Sequence, residues 1–238
     1  MTITEILLIS LVVSIGAALQ GSVGFGMALA ANPILVLINP EFVPGPMLAS
    51  AFFLSILVII RERQSLSLNG LQWAIAGRLL GAILSAWLLL LISPDALILL
   101  FGFLVIFAVL ITAFGFKIPI TKINLGIAGT LAGIMGTIGS IGGPPMALVY
   151  QREDACRIRT TLSGFFIAGT AISMATLAMI GRFGVQEIKL TGLLIPGLFF
   201  GFILSSKALP WFDGKYTRPI ILLISTISAL VVITRQLL

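Results

Sequence analysis

The 238 residues are 59% hydrophobic and 9% charged, with a mean hydropathy of +1.20, where a soluble domain carries roughly 25% charged residues. That excludes a water-soluble globular protein. A net charge of +6 with no histidine would suggest nucleic acid for a soluble protein. In a membrane protein Lys and Arg instead record which loops face the cytoplasm, so the expected partner is the lipid bilayer and not nucleic acid.

A spanning helix needs about 20 mainly apolar residues, and such stretches run over 5–38, 42–60, 71–92, 96–116, 123–150, 160–180, 190–211 and 219–238. They are continuously apolar, whereas barrel strands alternate over about 10 residues, so the expected fold is an all-α integral membrane protein. Met1 to Glu5 offers no positive flank and no polar mature region follows the first run, so a cleaved signal peptide is not expected. The single cysteine, Cys156, supports neither a disulfide framework nor a metal cluster.

Segment 5–38 is too long for one simple span: its 34 residues make a helix of about 51 Å against a hydrocarbon core of about 30 Å. Gly21-Ser22-Val23-Gly24-Phe25-Gly26 sits in its middle. The segment is either an over-long broken span or a hairpin that turns at the glycines near mid-depth and leaves by the side it entered. Segment 71–92 carries Gly77 and Gly81 at a Gly-x-x-x-Gly spacing, and Arg78 about eight residues in. Segment 123–150 repeats the first motif as Gly136-Thr137-Ile138-Gly139-Ser140-Ile141-Gly142, and 190–211 repeats the glycine pair as Gly197 and Gly201. The chain reads as a duplication over roughly 115 to 120 residues, with an N-terminal repeat at 1–116 and a C-terminal repeat at 117–238.

Loop charges decide between the readings of 5–38 and 123–150. As single spans they divide Lys and Arg 7 to 6 between the two sides. As hairpins they put Arg61, Arg63, Lys117, Lys122, Arg152, Arg157, Arg159, Lys207, Lys215 and Arg218 on one side and Arg182, Lys189 and Arg235 on the other. The positive-inside rule favours the hairpins, with the first group cytoplasmic and both termini outside. Each half is then a re-entrant or broken-helix hairpin plus three transmembrane helices, and the halves are inserted with opposite orientation.

Irregular backbone within a bilayer must be covered by protein or water. Both glycine motifs therefore belong inside the bundle, where two opposed helix N-termini, near Met27 and near Pro144-Pro145, would offer amide donors and partial positive charge to an anion. The candidate substrate-binding residues are Gln20, Gly21, Ser22, Gly24, Gly26 and Asn32 in the first half, Arg78, and Gly136, Thr137, Gly139, Ser140, Gly142 and Gly143 in the second. Packing alone accounts for the two Gly-x-x-x-Gly pairs. Arg78 is either an intramembrane site residue or a side chain that snorkels to the interface. The group Arg152, Arg157 and Arg159 reads as a topology signal that could also concentrate anions at the inner mouth.

At its two motifs, the second followed by Pro144 and the first by Pro33, the sequence resembles the TauE/SafE sulfite exporter family (TSUP transporters) over its whole length and layout. The resemblance implies transport of sulfite, thiosulfate or an organosulfonate, usually as export. Ser140 and Ile141 interrupt the longer glycine run often found in that family. An intramembrane enzyme is not expected: with no histidine a serine-histidine dyad or histidine metal site is excluded, and the eight carboxylates fall at loops or run ends. No cofactor is implied. The alternatives are a passive anion channel and an importer of a sulfur-containing anion. The inside-negative potential itself drives an anion outward, at about 2.3 kcal/mol per charge per 100 mV, and the expected location is a bacterial cytoplasmic membrane.

Overall fold

A computed structural model describes residues 2–63, 70–114 and 118–208, with the isolated positions 226 and 234. The apolar run 219–238 lies outside the described residues apart from those two positions, as do Lys117, Lys215, Arg218 and Arg235. The described chain is all helical: α1 (Ile3–Val23), α2 (Met27–Ile38), a 3-10 turn at Pro40–Phe42, α3 (Gly45–Glu62), α4 (Leu71–Leu91), α5 (Pro94–Phe114), α6 (Lys122–Gly139), α7 (Gly143–Tyr150), α8 (Ala155–Met179) and α9 (Val185–Ala208). Within it, α1, α3, α4, α8 and α9 are each long and apolar enough to cross a membrane. The protein is an all-α integral membrane protein.

The helices are built for lipid rather than water. On α4 the buried side carries Ala74, Gly77, Arg78, Gly81, Ala82 and Ser85, while Leu79, Leu80, Ile83, Leu84 and Trp87 are exposed. Small and polar residues face inward and large apolar ones outward, because hydrocarbon gives no drive to bury leucine and helix contacts come from close packing. An added Cβ on Gly77 would run into the Gly126 carbonyl of α6, and one on Gly81 into the Thr130 carbonyl. Helix α9 meets α1 in the same way: a Cβ on Gly197 would lie 2.5 Å from the Ser10 carbonyl, and one on Gly201 would strike the Ser14 carbonyl. Each pair is followed four residues on by a fully buried serine, Ser85 and Ser205. The contact of α4 with α6 is thus matched by that of α9 with α1.

Both long segments fold back on themselves. Helix α1 ends at Gly24 (φ 98°) and α2 begins from Gly26 (φ 116°), both in the left-handed region open to glycine. Met27 then packs beside Gly16, well back along α1. Helix α6 ends at Ser140 (φ 60°), whose N–H bonds the Gly136 carbonyl at 2.8 Å while Ile141 N–H bonds Met135 at 3.2 Å, a Schellman-type stop. Gly142 then packs beside Ala132. The first arms are long, 21 and 18 residues, and the second arms short, 12 and 8. At about 1.5 Å per residue α1 is about 31 Å long, so the first turn falls near one end of the bundle, beside Arg61 of α3 and Ser205 of α9. The mid-segment glycines had suggested a turn at half depth; the short second arm explains the difference.

Arg61 and Arg159 share the carboxylate of Glu62, so the end of α3 and the start of α8 lie at one end of the bundle. The single-span reading would separate them; the fold-back reading requires them together.

The matched glycine contacts predict that Gly77→Val and Gly201→Val each cost about 1–3 kcal/mol or more through overpacking, measured as a lower melting temperature in detergent. Gly192→Ala, with nothing within 4 Å of its added Cβ, should leave the melting temperature unchanged.

Candidate functional site

The two interruptions meet. Phe25, between the glycines of the first, lies against Gly143 at the start of α7, where an added Cβ would sit 2.8 Å from Phe25 Cβ. Asn32 Nδ2 of α2 donates to the Gly139 carbonyl at 2.6 Å, and Ser140 Oγ donates to the Pro44 carbonyl at 2.8 Å. Between them is a cavity of about 30 Å³ lined by Gln20, Gly26, Ala28, Leu29, Leu48, Ala51, Arg78, Ser140, Ile141, Gly142, Gly143, Pro144, Phe166 and Thr170. Arg78 is the eighth residue of α4 and Thr170 the sixteenth of α8, so the cavity lies part-way along the bundle.

Arg78 is the one charged group among these lining residues. It is 1% exposed, and its guanidinium points into the protein: Nε donates to the Gly169 carbonyl at 3.3 Å, Nη1 to the Ala132 carbonyl and Nη2 to Ser173 Oγ at 3.0 Å. Its carbon Cζ stands 5.7 Å from the Phe165 ring centre. No ion pair holds it among the described residues. This corrects the snorkelling alternative, because the fork turns inward to two carbonyls and a hydroxyl on α6 and α8. Gly136 and Gly142 have no side chain because Arg78 occupies that space.

The lining also includes the N-caps of two helices, Gly26 for α2 and Gly142 for α7, and neither helix has a side-chain cap. The first turn of α7 is Gly143-Pro144-Pro145, and proline has no N–H, so α7 offers fewer amide donors than its position suggests. Gln20 Nε2 is buried without a hydrogen-bond partner. The cavity therefore gathers one full positive charge, two positive helix ends and an unused amide donor, with no carboxylate in its lining. Chemically this suits a small anion.

Of the residues expected from sequence, Gln20, Gly26, Arg78, Ser140, Gly142 and Gly143 line the cavity, and the rest stand behind it. Ser22 Oγ donates to Ala18 of its own helix at 2.8 Å. Thr137 Oγ1 and Ser173 Oγ share a hydrogen bond at 2.8 Å. Gly21 packs on Ser205, Gly24 on Arg159, Gly136 on Arg78 and Gly139 on Phe101. Asn32 braces Gly139. Sequence reasoning missed Phe166 and Thr170. The signal was available: Ser163, Phe166, Thr170 and Ser173 recur at helical spacing on α8 and all are buried.

The family model described as sulfite exporter TauE/SafE matches residues 8–232. The chain belongs to the TauE/SafE sulfite exporter family. It is a multi-pass membrane transporter of the sulfur-anion exporter type, and both glycine interruptions and Arg78 fall inside the matched region. No curated protein and no solved structure matches it.

The left-handed residues of both interruptions should reject a β-branched side chain. Gly24→Val should remove the folded TauE/SafE protein, since left-handed backbone excludes a β-branched residue and an added Cβ lies 2.9 Å from Arg159 Cα. Ser140→Gly should keep wild-type yield on size-exclusion chromatography, whereas Ser140→Val should not.

Proposed function

We propose that this protein is a secondary transporter that exports a small sulfur oxyanion, sulfite, thiosulfate or an organosulfonate, across the cytoplasmic membrane. Substrate binds part-way along the bundle, in the cavity between the two interruptions. Arg78 neutralises its charge, the helix starts at Gly26 and Gly142 add partial charge and backbone donors, and Gln20 Nε2 supplies a side-chain hydrogen bond. The observation that carries this reading is a buried lining with one cation and no carboxylate. At rest Arg78 is held by two carbonyls and a hydroxyl, all neutral, which leave its full charge to attract an anion.

The two halves, 1–116 and 117–238, are inverted repeats in this reading. Support comes from a constant spacing of 116 residues between Ser10 and Gly126, Ser14 and Thr130, Gly24 and Ser140, and Gly26 and Gly142, each pair in the same local role. The register differs by one residue from that read by matching Gly21 to Gly136. The end holding Arg61, Arg63, Arg152, Arg157 and Arg159 is cytoplasmic, which puts the N-terminus outside; the C-terminus, also expected outside from the sequence, falls beyond the described residues.

A cavity of about 30 Å³ has room for one or two waters, so a four-atom ion such as sulfite enters only when the helices part. That favours a carrier over a passive channel. In proteoliposomes sulfite flux should saturate and show counterflow. Arg78→Met should weaken apparent affinity about 10- to 100-fold through the lost charge-assisted bonds, and Gln20→Leu about 2- to 10-fold, both with monodisperse protein. Non-saturable flux, or Arg78→Met with normal affinity, would remove this assignment.

A further inference from the structure

Behind the first interruption, at the end of α3 and the start of α8, two arginines converge on one carboxylate. Arg159 Nε donates to both oxygens of Glu62, at 3.1 and 3.0 Å, and its Nη2 stands 2.9 Å from Oε2. Arg61 Nε and Nη2 reach Oε1 at 3.0 and 2.8 Å. Cys156 Sγ donates to Oε2 at 3.1 Å. The three charged side chains are 10–16% exposed, so the cluster is largely withdrawn from water yet not sealed.

The two kinds of partner are held differently. Arg61 is anchored without Glu62, by Ser205 and Ser206 Oγ at 2.9 and 3.1 Å and by the Gly21 carbonyl at 2.5 Å, with its Cζ 5.1 Å from the Phe202 ring centre. Arg159 also donates to the Ser22 carbonyl at 3.3 Å. The Glu62 carboxylate accepts only from Arg61, Arg159 and Cys156 among the described residues. Arg61 and Glu62 are consecutive on α3, and such neighbours do not normally face each other on a helix. Glu62 therefore reaches sideways into a set of donors fixed by other contacts.

That arrangement is an oxyanion receptor already built, with a tethered occupant. Arginine forks take carboxylates and other oxyanions through the same paired N–H geometry, and the cluster carries one more positive than negative charge. We propose that Arg61 and Arg159 form a second anion site, filled in this conformation by the chain's own Glu62, and that an oxyanion of the sulfite or sulfonate type takes the place of Glu62 there. Glu62 of α3 is what ties Arg159 of α8 to Arg61, beside the Gly21 and Ser22 carbonyls at the end of α1, so displacing it loosens the clasp that closes this end of the first interruption. That second step rests on the transport reading; the site itself does not.

The test uses the full-length protein in detergent, with sulfate as the probe and chloride at equal ionic strength as reference. Sulfate stabilises proteins generally by exclusion from their surfaces, so the comparison is between variants. Glu62→Ala should gain several degrees in melting temperature with sulfate, half-maximally at a concentration at least tenfold below any effect on the unaltered protein. Glu62→Gln, closer in shape, should respond in the same direction. Glu62→Ala/Arg159→Ala should lose the response. An equal sulfate response in unaltered protein and both Glu62 variants, or one retained without Arg159, overturns the site. For displacement, Cys156 of the unaltered protein should react with N-ethylmaleimide several-fold faster in sulfoacetate than in chloride. Flat labelling beside normal sulfite flux overturns displacement, whereas absent flux with an intact sulfate response counts against the transport reading alone.

Discussion

Backbone that leaves the helix inside a bilayer has no water to bond, and every carbonyl so released must find a donor within the protein. In this chain the interrupted and closely packed backbone is met largely by arginine. Arg61 and Arg159 take the Gly21 and Ser22 carbonyls at the end of α1, while Arg78 takes those of Ala132 and Gly169 in the interiors of α6 and α8. Asn32 covers Gly139. Cations on the carbonyl ends of helices oppose the negative pole of the helix dipole. The result is a division of labour: the carbonyl ends are occupied by side chains, while the amide ends, at Gly26 and Gly142, face the central cavity.

The rest of the bundle exists to hold that arrangement. Beside an apolar core, two helix pairs are held by backbone approaching backbone, and glycine is what permits it. Helix α4 closes on α6 through Gly77 and Gly81, and α9 on α1 through Gly197 and Gly201. Each interrupted segment is thus gripped by a glycine-faced helix from the other part of the chain. Arg78 follows Gly77 directly, so the contact that places α4 against α6 also places the guanidinium beside Gly136 and Gly142. Leu198 holds the corresponding position on α9 and is fully buried. The charge follows the glycine pair's first member on α4 and not on α9.

Much of this was legible in the residues, for identifiable reasons. The spans follow from apolar length, and the interruptions from glycines that no uninterrupted 34-residue helix would carry in its middle. The fold-back was legible only through charge, since Arg61 and Arg159 fall at one end under that reading alone. What was not legible depends on distance in the chain. The Glu62 clasp joins residues 97 apart, and nothing local marks Glu62 as other than a surface carboxylate. Ser22 and Thr137 look like ligand hydroxyls, yet Ser22 bonds its own helix and Thr137 pairs with Ser173, because a hydroxyl in a helix always has a carbonyl one turn back within reach. The turn depth was misjudged because the motif's place in the segment says nothing about how unequal the two arms are.

An anion resting in the cavity between the interruptions, as proposed for this TauE/SafE protein, can be viewed directly. Selenite is a heavier analogue of sulfite with the same charge and shape and a strong anomalous signal. Anomalous density from crystals grown with selenite should show a peak between Gly26, Gly142 and the Arg78 guanidinium, with the flanking helices moved apart to admit it. Selenium confined to the protein surface, with that cavity unchanged at saturating selenite, would contradict an anion site there.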